Sequence, residues 1–231
     1  MVTTTNLLYV ENAYTKNFEA KVVATNSDRV ILDATAFYPR GGGQVGDTGG
    51  IDGLRVIDTL RDVAAVVHLL EKSSPFHAGQ VVQAKIDWER RYKIMRLHSA
   101  SHIVQYVIEE ILGVDCKPTS PGLVDDLKDR TDYSFSDKLE ARKLSEIEAR
   151  TNEIIQMGYD IQRYSDPNDP ERRYWRIEPF RPMFCGGTHP RNTREIGRVS
   201  LRKGKKPGKG KERIETILAS LPVTDWDSDN L

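Results

Sequence analysis

Two pairs of side chains in this sequence have the types and spacing to share one chemical task. In "RLHSASHIV", His98 and His102 lie at i and i+4. On a helix they stand one turn apart on one face, so both imidazoles can reach a single ion. In "MFCGGTHP", residues 183–190, Cys185 and His189 repeat that spacing with two glycines between them. From five histidines and two cysteines in 231 residues, both pairs together arise by chance at roughly the 0.4% level. A thiolate and three imidazoles are a donor set that zinc accepts in tetrahedral geometry, one ion per chain. Gly186 and Gly187 suit a tight turn, because glycine tolerates positive φ. Four ligands bound at once make a closed structural site, whereas a catalytic site keeps a position for water or substrate. Spacing leaves both open; the long separation of the pairs, and the place of His98 and His102 at the rim of an apolar stripe, lean toward catalysis.

The elements that must position these residues change character near Trp88. Before it, "NFEAKVVAT", "RVILDATAFY", "LRVIDTL", "AAVVHLL" and "QVVQAKIDW" read as short strands between turns such as Asp52-Gly53 and Ser73-Ser74-Pro75, the pattern of a small barrel or sandwich. The segment "YPRGGGQVGDTGG", 38–50, is too glycine-rich for a strand interior and reads as a loop. After Trp88, Ile94, Leu97, Ser101, Val104, Ile108 and Ile111 recur at helical steps and Gly113 follows as a cap. A second helix is predicted from Asp137, capped by Ser136, to Gln156 or Met157, with Leu144, Ile147 and Ile154 inward and Gly158 at its end. "YDIQRY", "YWRIEPF", "GRVSL" and "ERIETIL" complete the chain as strands. The expected fold is α+β: a small N-terminal β-barrel domain over 1–88, then a two-layer α/β domain over 89–231 with helices on a mainly antiparallel sheet.

Lysine plus arginine equals aspartate plus glutamate at 34 each, so net charge points to no class of partner and only local clusters count. One such cluster is "RKGKKPGKGKER", 202–213, the predicted tip of a hairpin, where Lys205, Lys206 and Lys209 are candidates for contact with phosphates. Arg172, Arg173 and Arg176, interleaved with Tyr174 and Trp175, are either a stacking and phosphate surface or an amphipathic strand. The start has no basic and apolar leader, and no segment approaches the roughly 20 apolar residues of a membrane span. A cytoplasmic protein with no membrane partner and no obligate protein partner is the expectation. In a reducing compartment Cys116 and Cys185 are not a disulfide. Cys116 reads as a core or loop thiol, and His68 and His77 as core or surface histidines.

"HSASH" at 98–102 followed far downstream by "CGGTHP" at 185–190 resembles the editing domain of alanyl-tRNA synthetase and the free-standing AlaX trans-editing proteins; the threonyl-tRNA synthetase editing domain is related. "YSFSDKL", "EIEARTNEII", "REIGRVSL" and "KERIETIL" extend the resemblance, and "TAFYPRGGGQVGDTGG", 35–50, is similar to the glycine-rich segment of the medium-length AlaX group. The resemblance implies hydrolysis of mischarged tRNA(Ala), chiefly Ser-tRNA(Ala) and also Gly-tRNA(Ala), with His98, His102, Cys185 and His189 as metal ligands. It further implies a pocket walled by Thr35, Gly41, Gly42, Gly43 and Gln44, with Thr188 a polar neighbour of the metal beside Gly186 and Gly187. Thr35 is the candidate to hydrogen-bond the serine hydroxyl, the kind of contact that discrimination against alanine requires. The sequence departs from the synthetase pattern at "VDCKPTSPG", where Cys116 stands near the place of a glutamine. Two other readings stay open: an RNA-binding module with a structural zinc, and a deacylase for another small hydroxylated aminoacyl-tRNA.

Overall fold

The computed structural model describes residues 4–135 and 139–219. After β1 (Asn6–Leu7) and the single turn α1 (Leu8–Glu11), the strands β2 (Asn17–Asn26), β3 (Arg29–Leu32) and β4 (Ala34–Thr35) follow. The glycine-rich loop leads to β5 (Gly49–Ile51), β6 (Leu54–Asp62), β7 (Ala65–Leu70) and β8 (Val81–Ile86). Strands pair in the order β2-β3-β7-β6-β5-β8, and β2 pairs with β8 to close the ring. β8 alternates exposed and buried side chains along its whole length, so one set of faces fills a core of Val22, Val30, Leu32, Phe37, Ile51, Val56 and Ile86. β5 begins inside the stretch read as a loop, at Gly49 and Gly50. Gly49 is there because a Cβ would sit 2.2 Å from the Lys85 carbonyl oxygen, so closure of the ring at β5 and β8 needs a strand without a side chain at that point.

The helix expected after Trp88 is α2 (Trp88–Leu112), ended by Gly113 at φ 95°. It is more than an amphipathic surface helix. Ile94, Met95, Leu97, Ala100, Ile103, Val104, Tyr106, Val107 and Ile108 are all buried, because α2 is covered by the first half of the chain on one side and by the second half on others. Its first turn is locked to the barrel. Arg91 is buried, ion-paired with Asp47, and donates to the carbonyls of Ala36 (2.7 Å) and Ala13 (3.1 Å).

Beyond α2 come β9 (Leu123–Val124), β10 (Asp129–Ser134) and α3 (Ala141–Met157), with Gly158 in the left-handed conformation at its end. The helix starts four residues later than expected, with Glu140 at its cap position; Ser136 and Asp137 lie outside the described residues. Then follow β11 (Gln162–Asp166), β12 (Asp169–Arg176), β13 (Met183–Phe184), a 3-10 turn (Thr193–Ile196), β14 (Val199–Lys203) and β15 (Lys211–Leu218). In place of one sheet there are two, both antiparallel: β14-β15-β10-β9 and β11-β12-β13. α2 and α3 pack on the four-stranded sheet around a second core that includes Ile147, Ile154, Trp175, Ile196, Val199 and Ile214. β10 was not legible as a strand because it reads "DRTDYS"; its buried positions are Asp129, Thr131 and Tyr133, only one of them apolar. No helix among the described residues is long and apolar enough to cross a membrane.

Asp129 is a buried carboxyl on β10 that accepts from the Thr131 hydroxyl at 3.1 Å. Burial raises it to about 7, against the pull of Ser101 and Thr131. The fold therefore keeps a proton that the unfolded chain releases near pH 4, and stability falls as pH rises from about 4 through 7. Asp129→Asn is expected to flatten that decline, on the order of 3 kcal/mol, in denaturant titrations at pH 5 and pH 8.

Candidate metal centre

α2 presents His98 and His102 with ring centroids 5.0 Å apart, and the turn after β13 brings Cys185 and His189 to them. The four donor atoms lie within 4.8 Å of one another. Cys185 Sγ stands 3.1 Å from His189 Nε2 and 3.5 Å from His98 Nε2, near the donor-donor spacing of a tetrahedral metal with bonds of about 2.0–2.3 Å.

Two of the imidazoles are aimed from behind. His98 Nδ1 is 2.9 Å from Gln44 Oε1; an amide oxygen only accepts, so Nδ1 carries the proton and Nε2 is left bare toward Cys185. The same oxygen accepts from the Thr188 amide at 3.1 Å, and Gln44 Nε2 donates to Thr188 Oγ1 at 2.9 Å. Ser99 Oγ lies 2.8 Å from His189 Nδ1. The third imidazole, His102, packs against Trp175 with ring centroids 4.8 Å apart and planes tilted by 37°, and its Nε2 is buried with no hydrogen-bond partner among the described residues. An orphaned nitrogen in a cluster of nitrogen and sulfur donors is what a metal site leaves when the ion is taken away, and the donor set fits zinc.

Burial sets the charge state. It lowers His98 to about 4 and holds His102 and His189 well below the ordinary imidazole range, with the neighbouring imidazoles adding to the push. It raises the Cys185 thiol to about 11, although the Gly187 amide and Arg173 pull the other way. At neutral pH the three imidazoles are thus already in the ligating form, and a metal would displace one proton, from sulfur.

The glycines of the turn act by absence of bulk. Neither has a positive φ, contrary to the expectation from the sequence. A Cβ at 187 would lie 2.3 Å from His98 Cε1, and one at 186 would lie 2.9 Å from Arg173 Nη2. The far end of the turn is fastened by a capping box at Asn192 and Glu195. Glu195 also accepts from the hydroxyls of Tyr14 and Tyr92, tying His189 to the first half of the chain and to α2.

Thr188 lies beside the cluster, and Gln44, expected as a wall of the pocket, hydrogen-bonds both Thr188 and His98. Gly41 and Gly42 are exposed, and Gly43, at φ +86°, packs its backbone on Gly122, whose carbonyl oxygen lies 2.2 Å from a Cβ position. This loop aims Gln44 at His98. Thr35 is not brought to the cluster: it is fully buried, with its hydroxyl 2.8 Å from His68 Nε2 and accepting from the Phe37 amide. It offers no surface to a ligand. His68 is held neutral at about 4 by burial, and His77 is exposed. Cys116 is a partly buried loop thiol 3.8 Å from the Leu112 carbonyl. Lys205, Lys206 and Lys209 are exposed on the β14–β15 hairpin, but its charge is partly neutralised within the chain. Glu212 takes Lys203 (3.1 Å) and Lys206 (3.3 Å), and Glu215 takes Lys128 and Arg202. Ser99 and Tyr9 carried no role in the sequence reading and Trp175 only one in a stacking and phosphate surface or an amphipathic strand; the fold sets Ser99 on His189 and Trp175 beside His102.

Two family models match the chain, "tRNA synthetases class II (A)" over residues 4–90 and "Threonyl and Alanyl tRNA synthetase second additional domain" over residues 174–215. The second includes Cys185 and His189. The alanyl-tRNA editing protein AlaX-M of Pyrococcus horikoshii is 34% identical over 94% of this chain and 100% of its own length. The chain belongs to the AlaX-M family of alanyl-tRNA editing proteins. The alanine–tRNA ligases of Methanococcus vannielii and Methanococcus maripaludis are 33% and 34% identical over 91% and 93% of this chain. The chain spans only 26% of each ligase. AlaX-M proteins and these ligases thus share both halves of this molecule, in keeping with a cluster whose orienting amide comes from the first half and whose donors come from the second.

Gln44→Ala frees His98 to rotate, and a loss of roughly 10- to 100-fold in zinc affinity is expected, read by competition with a chromogenic chelator. Gly187→Ala is expected to abolish stoichiometric zinc in the purified protein, because the new methyl occupies the His98 ring.

Proposed function

We propose that this protein hydrolyses the ester linking a wrongly attached amino acid to tRNA(Ala), chiefly Ser-tRNA(Ala) and also Gly-tRNA(Ala), at a single zinc held by His98, His102, Cys185 and His189. The observation that carries the reading is the four-donor cluster with its orphaned His102 nitrogen, in a chain of the alanyl-tRNA editing family. Zinc bound there supplies a positive charge beside the scissile ester. Gln44 holds His98 in the tautomer that leaves Nε2 free, and Ser99 orients the His189 ring through Nδ1. Thr188 fixes Gln44, and Trp175 closes the site against water on the side of His102. Of the four donors, Cys185 is the one that lines the neighbouring cleft, and this is where substrate approaches. An aminoacyl ester is already activated, so a positioned water and polar help for the developing oxyanion suffice without a side-chain nucleophile.

The division into a barrel domain over 1–88 and an editing domain over 89–231 is supported by the two separate hydrophobic cores. A tRNA substrate implies a cytoplasmic protein. A second reading, an RNA-binding module with a structural zinc, draws on the same cluster, because four protein donors are the complement of a closed site.

Deacylation of Ser-, Gly- and Ala-tRNA(Ala) by native protein and by Cys185→Ala, with zinc measured on the same samples, separates the two. Loss of serine release by about a hundredfold or more together with zinc, alanine being spared throughout, is the expected result. Zinc-replete native protein that leaves Ser-tRNA(Ala) intact would move the assignment to the binding module.

A further inference from the structure

β12 alternates its side chains between two environments. Trp175 points to the metal cluster. At the rim of that face lies a cleft of about 160 Å³ whose lining includes Tyr9, Arg163, Arg173, Cys185 and Gly187. Arg163 and Arg173 are half-buried, and among the described residues neither guanidinium has a carboxylate or other acceptor. That sets them apart from Arg91, Arg176, Arg181 and Arg213, each of which has an acidic partner. The charges that act on Arg163 are mostly of its own sign: Arg173, Arg191 and Arg91, with Tyr14 the exception. Arg173 rests over the ring of Tyr9, with 5.8 Å from its guanidinium carbon to the ring centroid, and reaches the turn at Gly186, where there is no side chain to keep it away.

Two unpaired cations held together at a metal centre cost free energy that an anionic ligand would recover. The α-ammonium of an aminoacyl ester is repelled from such a place. A phosphodiester suits it, because each planar guanidinium offers five N–H donors in a fork that matches phosphate oxygens. The next row of the sheet points the same way. Tyr164, Tyr174 and Phe184 lie directly opposite one another on β11, β12 and β13. Tyr164 and Tyr174 stack at 5.6 Å, Arg172 lies over both Tyr174 and Phe184, and Phe184 is 67% exposed. Tyr164 and Tyr174 also border the cleft. Aromatic rings interleaved with arginines are a surface on which unpaired bases stack.

We infer that the Arg163–Arg173 cleft seats a phosphodiester of the single-stranded 3′ end of an RNA, beside the metal cluster. The inference rests on the deacylase reading only in placing an RNA end there. It also moves the phosphate contact nearest the chemistry from the β14–β15 hairpin, whose lysines are partly neutralised by Glu212, to a pair of arginines without an acidic partner among the described residues.

The test is a fluorescence-anisotropy titration of a labelled RNA oligonucleotide ending in 3′-CCA, carrying no amino acid, against native protein, Arg163→Gln, Arg173→Gln and the double variant, with zinc measured on each. The double variant is expected to bind about tenfold or more weakly, with the slope of log affinity against log salt reduced by roughly 0.7 for each phosphate that is no longer neutralised. Arg163→Lys with Arg173→Lys, which keeps the charge and the fold, is expected to recover part of the affinity. Unchanged affinity in a zinc-replete double variant would overturn the inference. So would displacement of the oligonucleotide from native protein, but not from the double variant, by free serine, which would make the cleft a carboxylate site. Arginine-dependent binding of the oligonucleotide by a protein that leaves Ser-tRNA(Ala) intact would uphold this inference while removing the deacylase reading.

Discussion

The orientation of His98, and of the turn that carries His189, depends on one side chain that belongs to the other half of the molecule. The amide of Gln44 reaches from the glycine-rich loop of the barrel and makes three hydrogen bonds, one with His98 and two with Thr188. With its oxygen fixed by the Thr188 amide, only one tautomer of His98 is compatible with the fold. The backbone contact of Gly43 with Gly122 and the buried pairing of Arg91 with Asp47 exist on either side of this reach. The first holds the glycine-rich loop to the segment before β9, the second holds it to α2, and together they set the separation the amide can span. The barrel is thus part of the site's geometry, and not a separate appendage.

The electrostatic design is uneven by position. Three imidazoles are kept neutral by burial, two of them are oriented by hydrogen bonds, and the third is braced by ring packing against Trp175 and the other two imidazoles. The thiol is the donor that burial disfavours as an anion, and it is also the one that lines the cleft. Placing the arginine-lined cleft on the thiol's side puts positive charge where a thiolate would carry negative charge. That accounts for the direction in which Arg173 pulls on Cys185.

The cluster itself was legible in the sequence because its ligands announce themselves locally, at i and i+4 in two short segments. α2 was legible from its period and its glycine cap, and the barrel strands from their β-branched runs. What was not legible is long-range. β5 hides in glycines because the ring needs bare backbone there, and β10 hides because its buried positions are aspartate and threonine satisfying one another. The Gly186-Gly187 pair was recognised as special, but for the wrong physical reason: its φ values are ordinary, and room for a ring and a guanidinium is what it provides. Thr35 carried a role by resemblance alone, and the fold gives its hydroxyl to His68 instead. Arg163 could not be found from sequence at all, since an unpaired arginine is defined by the partners it lacks in space.

The two ligand pairs come from stretches of chain roughly eighty residues apart. A metal joining His98 and His102 to Cys185 and His189 would therefore act as a clasp around β9, β10, α3, β11, β12 and β13, a non-covalent counterpart of a long-range disulfide. Closing so large a loop removes conformational freedom mainly from the unfolded chain, and a ligand that binds only the folded form deepens its stability by mass action. The persistence of this protein in a cell would then be tied to the supply of metal ions, so that scarcity would be felt first as faster turnover of the chain and only afterwards as a slower enzyme.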